Sequence, residues 1–289
     1  MVTAHPSIRL TDGTSMPSLI YGSGTALRDR EVADAVANAI KAGFRHVDCA
    51  QKYGNEESVG QGIARCGVPR SSLYITTKLE RVPEGQTAVD SLRESLCKMN
   101  LDYVDLLLVH EPVPHKDLKQ TWKEVERCKE EGLTRSIGVS NFRIQDLEEI
   151  RDGATASPVV NQIEYHPYII KANTALLEYM KAHDILAVSY SGLAPIARVK
   201  EGPLDHILPN IADRLSATTG QKVTVAQVLQ LWLRKQGVPY ISTTEKPERL
   251  TEYLNVVSLP DLSNEEVQLI TEVGCTVHHR FFVATYTIP

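Results

Sequence analysis

Two hydrophobic periods alternate along the chain. Short apolar runs recur, and each is followed by a stretch whose apolar residues fall every three or four positions. Val32, Val36 and Ile40 share one face, so residues 30–42 read as a helix that Gly43 ends. Val89, Leu92, Leu96 and Met99 mark another over 86–99. Further helical patterns cover 56–65, 118–131, 144–151, 174–183, 204–217, 225–236, 247–253 and 264–273. Between them lie strand-like runs at 19–22, 45–48, 73–78, 103–109, 135–139, 158–163, 185–190 and 238–242. The run 103–109 is nearly all apolar, as in a strand buried on both faces. Ahead of them, Thr11-Asp12-Gly13-Thr14 sits between extended runs at 7–10 and 15–18 and signals a hairpin.

Eight strands alternating with at least eight helices predict the α/β class, and within it a parallel (β/α)₈ barrel behind an N-terminal β-hairpin. A doubly wound open sheet is the structural alternative. No linker, charge block or low-complexity stretch divides the 289 residues, so one domain is expected over 1–289.

Composition narrows the class little. Hydrophobic content of 42% and charged content of 23% suit a soluble globular protein. A net charge of −5 and a pI near 6.0 argue against a nucleic-acid partner. Five scattered cysteines without a C-x-x-C or Cys/His spacing point to a reducing, cytoplasmic setting and no metal site. Neither a signal peptide nor an apolar run of membrane-spanning length is evident, so no membrane partner is expected.

Barrels of this kind keep their chemistry at the C-terminal ends of the strands. Successive strand ends here carry Asp48, Lys78, His110, Ser140-Asn141, Gln162, Tyr190 and Ser242-Thr243-Thr244, with Tyr53 in the loop after Asp48. Any one of them could be a helix cap or a core residue. Seven in succession on one face are hard to assign to capping. Asp48, Tyr53, Lys78 and His110 also make chemical sense together. An ammonium beside a phenol lowers its pKa, a carboxylate holds that ammonium, and a histidine can bond a substrate oxygen. No serine or cysteine nucleophile has a paired base. The set suits proton transfer coupled to hydride transfer to a carbonyl.

These residues resemble the aldo-keto reductase family. The matching pieces are Asp48-Cys-Ala-x-x-Tyr53-Gly-Asn-Glu, Thr-Thr-Lys78-Leu, Leu-Leu-Val-His110, Ile-Gly-Val-Ser140-Asn141-Phe and Asn161-Gln162-Ile-Glu-Tyr-His-Pro. They occur in the family order over essentially the whole chain. The resemblance implies Tyr53 as general acid, Lys78 and Asp48 as the pair that tunes it, and His110 as the group that positions the carbonyl. It implies Ser140, Asn141 and Gln162 on the nicotinamide carboxamide, with Tyr190 stacked on the ring. Ser191, Leu193 and Ser242 complete the implied cofactor site. The implied cofactor is NADPH/NADP+ bound without a Rossmann fold. Gly22-Ser-Gly24 agrees, because Leu27 breaks the G-x-G-x-x-G fingerprint and leaves the glycines to loop geometry.

The sequence departs from the family pattern in two places. The usual lysine after the last strand is Thr243 and the usual serine is Thr244, whereas the arginine is kept as Arg249. Lys246 is expected to replace the missing charge on the 2′-phosphate. This stretch is similar to a fungal branch that reduces α-dicarbonyl compounds, including α-keto amides and conjugated polyketones such as ketopantoyl lactone. In the substrate pocket, tryptophans of relatives give way to Ala26, Glu80 and Glu111, while Trp122 and Trp232 sit in helices and read as packing. Two carboxylates would repel anions, so a neutral keto ester, keto amide or lactone is expected. The tail from Gly274 is expected to fold over the barrel mouth, with Phe281, Phe282 and Tyr286 facing the pocket. A small-molecule carbonyl is the expected partner, and the protein is expected as a monomer or weak dimer. The alternatives are an alcohol or sugar dehydrogenase with the same tetrad, or a non-catalytic cofactor-sensing subunit related to potassium-channel β proteins.

Overall fold

The chain opens with an antiparallel hairpin, β1 (Ser7–Arg9) and β2 (Ser15–Pro17), which pairs Ile8 with Met16. Gly13 takes a left-handed φ of 85° at its tip, and the Asp12 carboxylate accepts the Thr14 N–H at 3.1 Å. The computed structural model describes residues 6–282.

Eight parallel strands then close on themselves. They are β3 (Leu19–Gly22), β4 (His46–Asp48), β5 (Tyr74–Leu79), β6 (Val104–Val109), β7 (Thr134–Ser140), β8 (Val160–Glu164), β9 (Leu186–Tyr190) and β10 (Tyr240–Ser242), with β10 pairing back to β3. The (β/α)₈ barrel is thus the fold, and the open sheet is excluded.

Helices cover the outside: α1 (Ala33–Ala42), α2 (Glu56–Arg65), α3 (Ala88–Met99), α4 (Leu118–Glu130), α5 (Ile144–Arg151), α6 (Ile170–Ala182), α7 (Ala194–Ala197), α8 (Leu208–Thr219), α9 (Val225–Lys235), α10 (Pro247–Asn255) and α11 (Asn264–Gly274). Trp122 of α4 and Trp232 of α9 are buried in the layer between helices and barrel, so both are packing residues.

Side chains alternate across each strand, and this sorts the core into two parts. Leu107 and Val109 of β6 pack outward under the helices, while Leu106 and Leu108 point inward. The inner cluster also holds Leu10 and Met16 of the hairpin with Ile20, Val160 and Val188. The hairpin therefore plugs the N-terminal end of the barrel. Burying each large apolar side chain contributes roughly 1.5–3 kcal/mol before entropy is counted. The plug leaves the opposite end as the open one.

Two element boundaries differ from the sequence pattern for visible reasons. Helix α1 starts at Ala33 rather than Arg30, because the Ser58 hydroxyl of α2 accepts the N–H groups of Val32 and Ala33 at 2.6 and 2.9 Å. The pattern over 204–217 splits into a short 3₁₀ turn (Pro203–His206) and α8, with Pro209 in the first turn of α8.

Candidate active site

Inward alternation continues to the C-terminal strand ends and there becomes polar. In register, Gly22 faces Asp48, Asp48 faces Thr76, Lys78 faces Leu108 and Ser140 faces Gln162. Asp48, Lys78, Ser140, Gln162 and Tyr190 therefore ring the mouth of one barrel, with His110 just past β6. A cleft of about 240 Å³ opens there. Its lining includes Asp48, Tyr53, His110, Ser140, Asn141, Gln162, Tyr190 and Ser191.

Lys78 is the centre of the constellation. It is 0% exposed, and an ammonium so placed needs partners for all its protons. It donates to Asp48 Oδ1, to the Cys49 carbonyl at 3.2 Å and to the Tyr53 oxygen at 3.1 Å. The second Asp48 oxygen accepts from the Gln162 side-chain amide at 2.8 Å. Burial is the largest influence and pulls Lys78 downward, but Asp48 and Tyr53 together outweigh it and hold the ammonium above its ordinary pKa.

Tyr53 departs from expectation in one respect. Its phenol sits above its ordinary pKa, because burial raises it more than Lys78 lowers it. The group is a protonated acid at neutral pH, not a standing phenolate. Since its oxygen accepts from Lys78, its own hydrogen is left to point into the cleft. The ring meets His110 edge-on, with centroids 5.6 Å apart. His110 lies well below its ordinary pKa through burial and the nearby Lys78, Lys52 and Arg28. It is a neutral imidazole beside a neutral phenol.

The cradle next to this cleft is continuous. Ser140 Oγ donates to the Gln162 carbonyl at 2.8 Å, and Asn141 Nδ2 donates to Ser140 Oγ at 3.1 Å and to the His110 carbonyl at 3.0 Å. Tyr190 Oη donates to Asn141 Oδ1 at 2.6 Å. Asn141 and Ser191 take left-handed φ values of 62° and 58°, strain of the kind found at functional sites. A groove of about 640 Å³ adjoins, lined by Leu193, Ser242, Thr243 and Arg249 among others, and Ile241 lines both spaces.

Thr243 turns its hydroxyl onto the Gly22 carbonyl at 3.0 Å, and a Cβ at Gly22 would lie 2.9 Å from that hydroxyl. Thr244 lies beneath, outside the groove lining, accepting the Lys246 N–H at 3.1 Å. Lys246 itself is exposed at the start of α10 and also outside that lining.

Three expected pocket residues fall elsewhere. Ala26 is exposed, because the turn Thr25–Leu27 presents Thr25 to the cleft. Glu80 leaves the cleft lining where β5 ends, and its N–H donates to Gln51 Oε1 at 2.9 Å. Phe281 stacks on His279 at 6.2 Å and only Phe282 lines the cleft. Tyr286 lies outside the described residues. Glu111 does line the cleft, but it is ion-paired with Lys52. Arg28, Lys52, Thr25 and Gly24 are lining residues that sequence reasoning missed. The expected repulsion of anions by two carboxylates therefore does not hold: Glu80 is absent from the lining and Glu111 is paired with Lys52, as Arg28 is with Asp29.

Residues 13–274 match the family profile described as Aldo/keto reductase family. The chain belongs to the aldo/keto reductase family. It is 38% identical over 286 residues to an NAD/NADP-dependent indole-3-acetaldehyde reductase of Schizosaccharomyces pombe, covering 94% of this chain and 96% of that one. It is 32% identical to an NADPH-dependent alpha-keto amide reductase of Saccharomyces cerevisiae, covering 92% and 89%. An aldo-keto reductase of Bombyx mori, solved in complex with NADP, superposes with a TM-score of 0.82 at 32% identity over 93% of this chain and 92% of that one. The protein is accordingly an NAD(P)-dependent oxidoreductase acting on carbonyl or CH–OH groups. Among the described residues, no helix is long and apolar enough to cross a membrane.

Proposed function

We propose that this family member is an NADPH-dependent carbonyl reductase whose general acid is Tyr53. The observation that carries the reading is the triply satisfied Lys78, which leaves the Tyr53 proton as the one directed at the cleft. A carbonyl oxygen placed between Tyr53 and His110 gains negative charge as its carbon is reduced. Tyr53 transfers its proton to that oxygen, and Lys78 stabilises the phenolate left behind. Neutral His110 orients the oxygen without competing as an acid. When bound, the reduced nicotinamide supplies the hydride.

The residues present fit such a cofactor. Ser140 Oγ, Asn141 Oδ1 and Gln162 Oε1 offer lone pairs to a carboxamide NH2, Tyr190 offers a ring face, and the adjoining groove has room for the remainder. Arg249 is the cation in that lining, while exposed Lys246 stands nearby in sequence outside it. Arg249 supports NADPH over NADH, as does the likeness to the NADPH-dependent yeast relative.

For the substrate, the favoured class is a neutral α-dicarbonyl such as a keto ester, keto amide or lactone. Its support is likeness to the alpha-keto amide reductase, not charge, since the pocket carboxylates do not repel anions as expected. The test is NADPH oxidation by the purified protein with an α-keto amide and an α-keto ester. Turnover at a rate well above that with a simple alcohol and NADP+ supports the reading. Tight NADPH binding without turnover on a broad carbonyl panel would overturn it in favour of a cofactor-sensing role.

A further inference from the structure

Glu164 stands one inward position beyond Gln162 on β8, in register with Tyr190. It is 0% exposed and is not among the residues lining the catalytic cleft. A buried carboxylate is costly unless its oxygens are bonded. Here its partners come from the tail. Its oxygens accept the Phe281 N–H at 2.9 and 3.2 Å and the Phe282 N–H at 3.2 Å. His166 Nε2 lies 3.2 Å from Oε1.

The surroundings reinforce the same junction. The Glu164 carbonyl accepts from Asn173 Nδ2 at 2.8 Å, and Asn173 Oδ1 accepts from Arg280 at 3.0 Å. The Arg198 guanidinium lies 5.3 and 5.4 Å from the Phe281 and Phe282 rings. Burial alone would raise the Glu164 carboxyl, yet His166 and the two tail N–H groups hold it below its ordinary range.

The consequence appears one side chain away. Phe282 lines the catalytic cleft and meets Tyr190 edge-on, centroids 5.2 Å apart and planes at 86°. We propose that Glu164 is a positioning residue: by gripping two successive tail amides it fixes Phe282 as the apolar wall of the substrate cleft. The inference rests on the reductase reading for its kinetic consequence, but not for the grip itself. Carbonyl compounds with a bulky apolar substituent depend on that wall, and small ones do not.

The test uses the full-length holoenzyme, Glu164→Gln, Phe282→Ala and the double variant. Glutamine keeps the size but turns a donor toward at least one tail N–H. In Glu164→Gln, KM for a phenyl-bearing α-keto ester should rise about tenfold, with kcat and methylglyoxal kinetics changed less than about threefold. In the Phe282→Ala background the same substitution should add less than about twofold, because the two act through one wall. Phe282 also meets Tyr190, so NADPH affinity is measured alongside and should change by less than the KM for the phenyl-bearing substrate. Equal losses on both substrates, or losses that add in the double variant, would overturn the proposal as a general structural defect. Hydrogen exchange supplies a readout free of catalysis. The Phe281 and Phe282 amides should be protected in the wild type and exchange at least about tenfold faster in Glu164→Gln. Unprotected amides in the wild-type holoenzyme would also overturn the grip, even if no variant folds. A wild type that reduces no carbonyl would sink the reductase reading alone, leaving the exchange result to judge the grip.

Discussion

Gly24 lies against the face of the Tyr53 ring, so close that a Cβ at position 24 would sit 2.6 Å from the phenol carbon bearing the oxygen. The second glycine of Gly22-Ser-Gly24 thus sets where the Tyr53 phenol stands. Gly24→Ala must push the ring aside, and a displacement near 1 Å can cost on the order of 100-fold in rate. The expected result is a kcat/KM loss of that order, with unchanged far-UV circular dichroism. A variant with wild-type kcat would show that Tyr53 placement is not set there.

The pH behaviour follows from Lys78. It lowers the Tyr53 pKa, though burial outweighs it. Lys78→Met removes the opposing influence, so the phenol becomes still harder to ionise. Reduction needs the protonated form, and oxidation of the product alcohol needs the phenolate. In the variant, the pH at which oxidation switches on should move upward. With Tyr53 as the proposed acid, Lys78 would also stabilise the phenolate formed in reduction, and reductive kcat should fall by at least about 100-fold. Profiles of kcat/KM in both directions check this, and an unmoved oxidative limb would contradict it.

Arg249 and Thr243 both line the groove, but the Thr243 hydroxyl is spent on the Gly22 carbonyl. If Arg249 meets the 2′-phosphate, Arg249→Ala should raise KM for NADPH by about tenfold or more, the scale of a lost hydrogen bond to a charged group. KM for NADH should change little. Equal effects on both cofactors would place Arg249 elsewhere on the nucleotide.

The Lys52–Glu111 ion pair sets the charge of the cleft beside His110. Glu111→Gln frees the Lys52 charge, so kcat/KM for an α-keto acid relative to its amide should rise several-fold, about the scale of one partly screened charge contact. A fall in that ratio would contradict the reading of Glu111 as neutralised.

Stability carries its own pH signature. His46 is 1% exposed and its pKa drops from 6.5 to about 4, with burial as the main cause. Its folded-state pKa is depressed, so its stabilisation is complete above the unfolded value and is lost as pH falls through the window between them. That loss amounts to about 3 kcal/mol. Denaturant melts from pH 7 to 4 should show stability falling on acidification, with a shallower slope in His46→Gln. Equal slopes would assign the acid limb to other groups.

Much of this was legible in the chain. Polar residues at the ends of apolar runs gave Asp48, Lys78 and His110 their places, because strand alternation and barrel closure leave them nowhere else to converge. Side chains beyond the strand ends were not legible. Glu80 shares the parity of Lys78, but β5 ends at Leu79 and the backbone turns to bond Gln51. Thr25 rather than Ala26 reaches the cleft because Thr25 takes a left-handed φ of 52°. The Gln162–Asp48 bond joins residues 114 apart in sequence, which no local pattern reports. Glu164 could have been suspected, since it follows Gln162 on the same inward face.

The central claim is that the Tyr53 proton is the one delivered to the carbonyl. The direct measurement is single-turnover NADPH oxidation by Tyr53→Phe, with NADPH affinity taken in parallel by fluorescence quenching. The account predicts binding within a few-fold of wild type and a rate lower by at least about 100-fold, the scale of general acid catalysis. A Tyr53→Phe protein that reduces the carbonyl at close to the wild-type rate would contradict it.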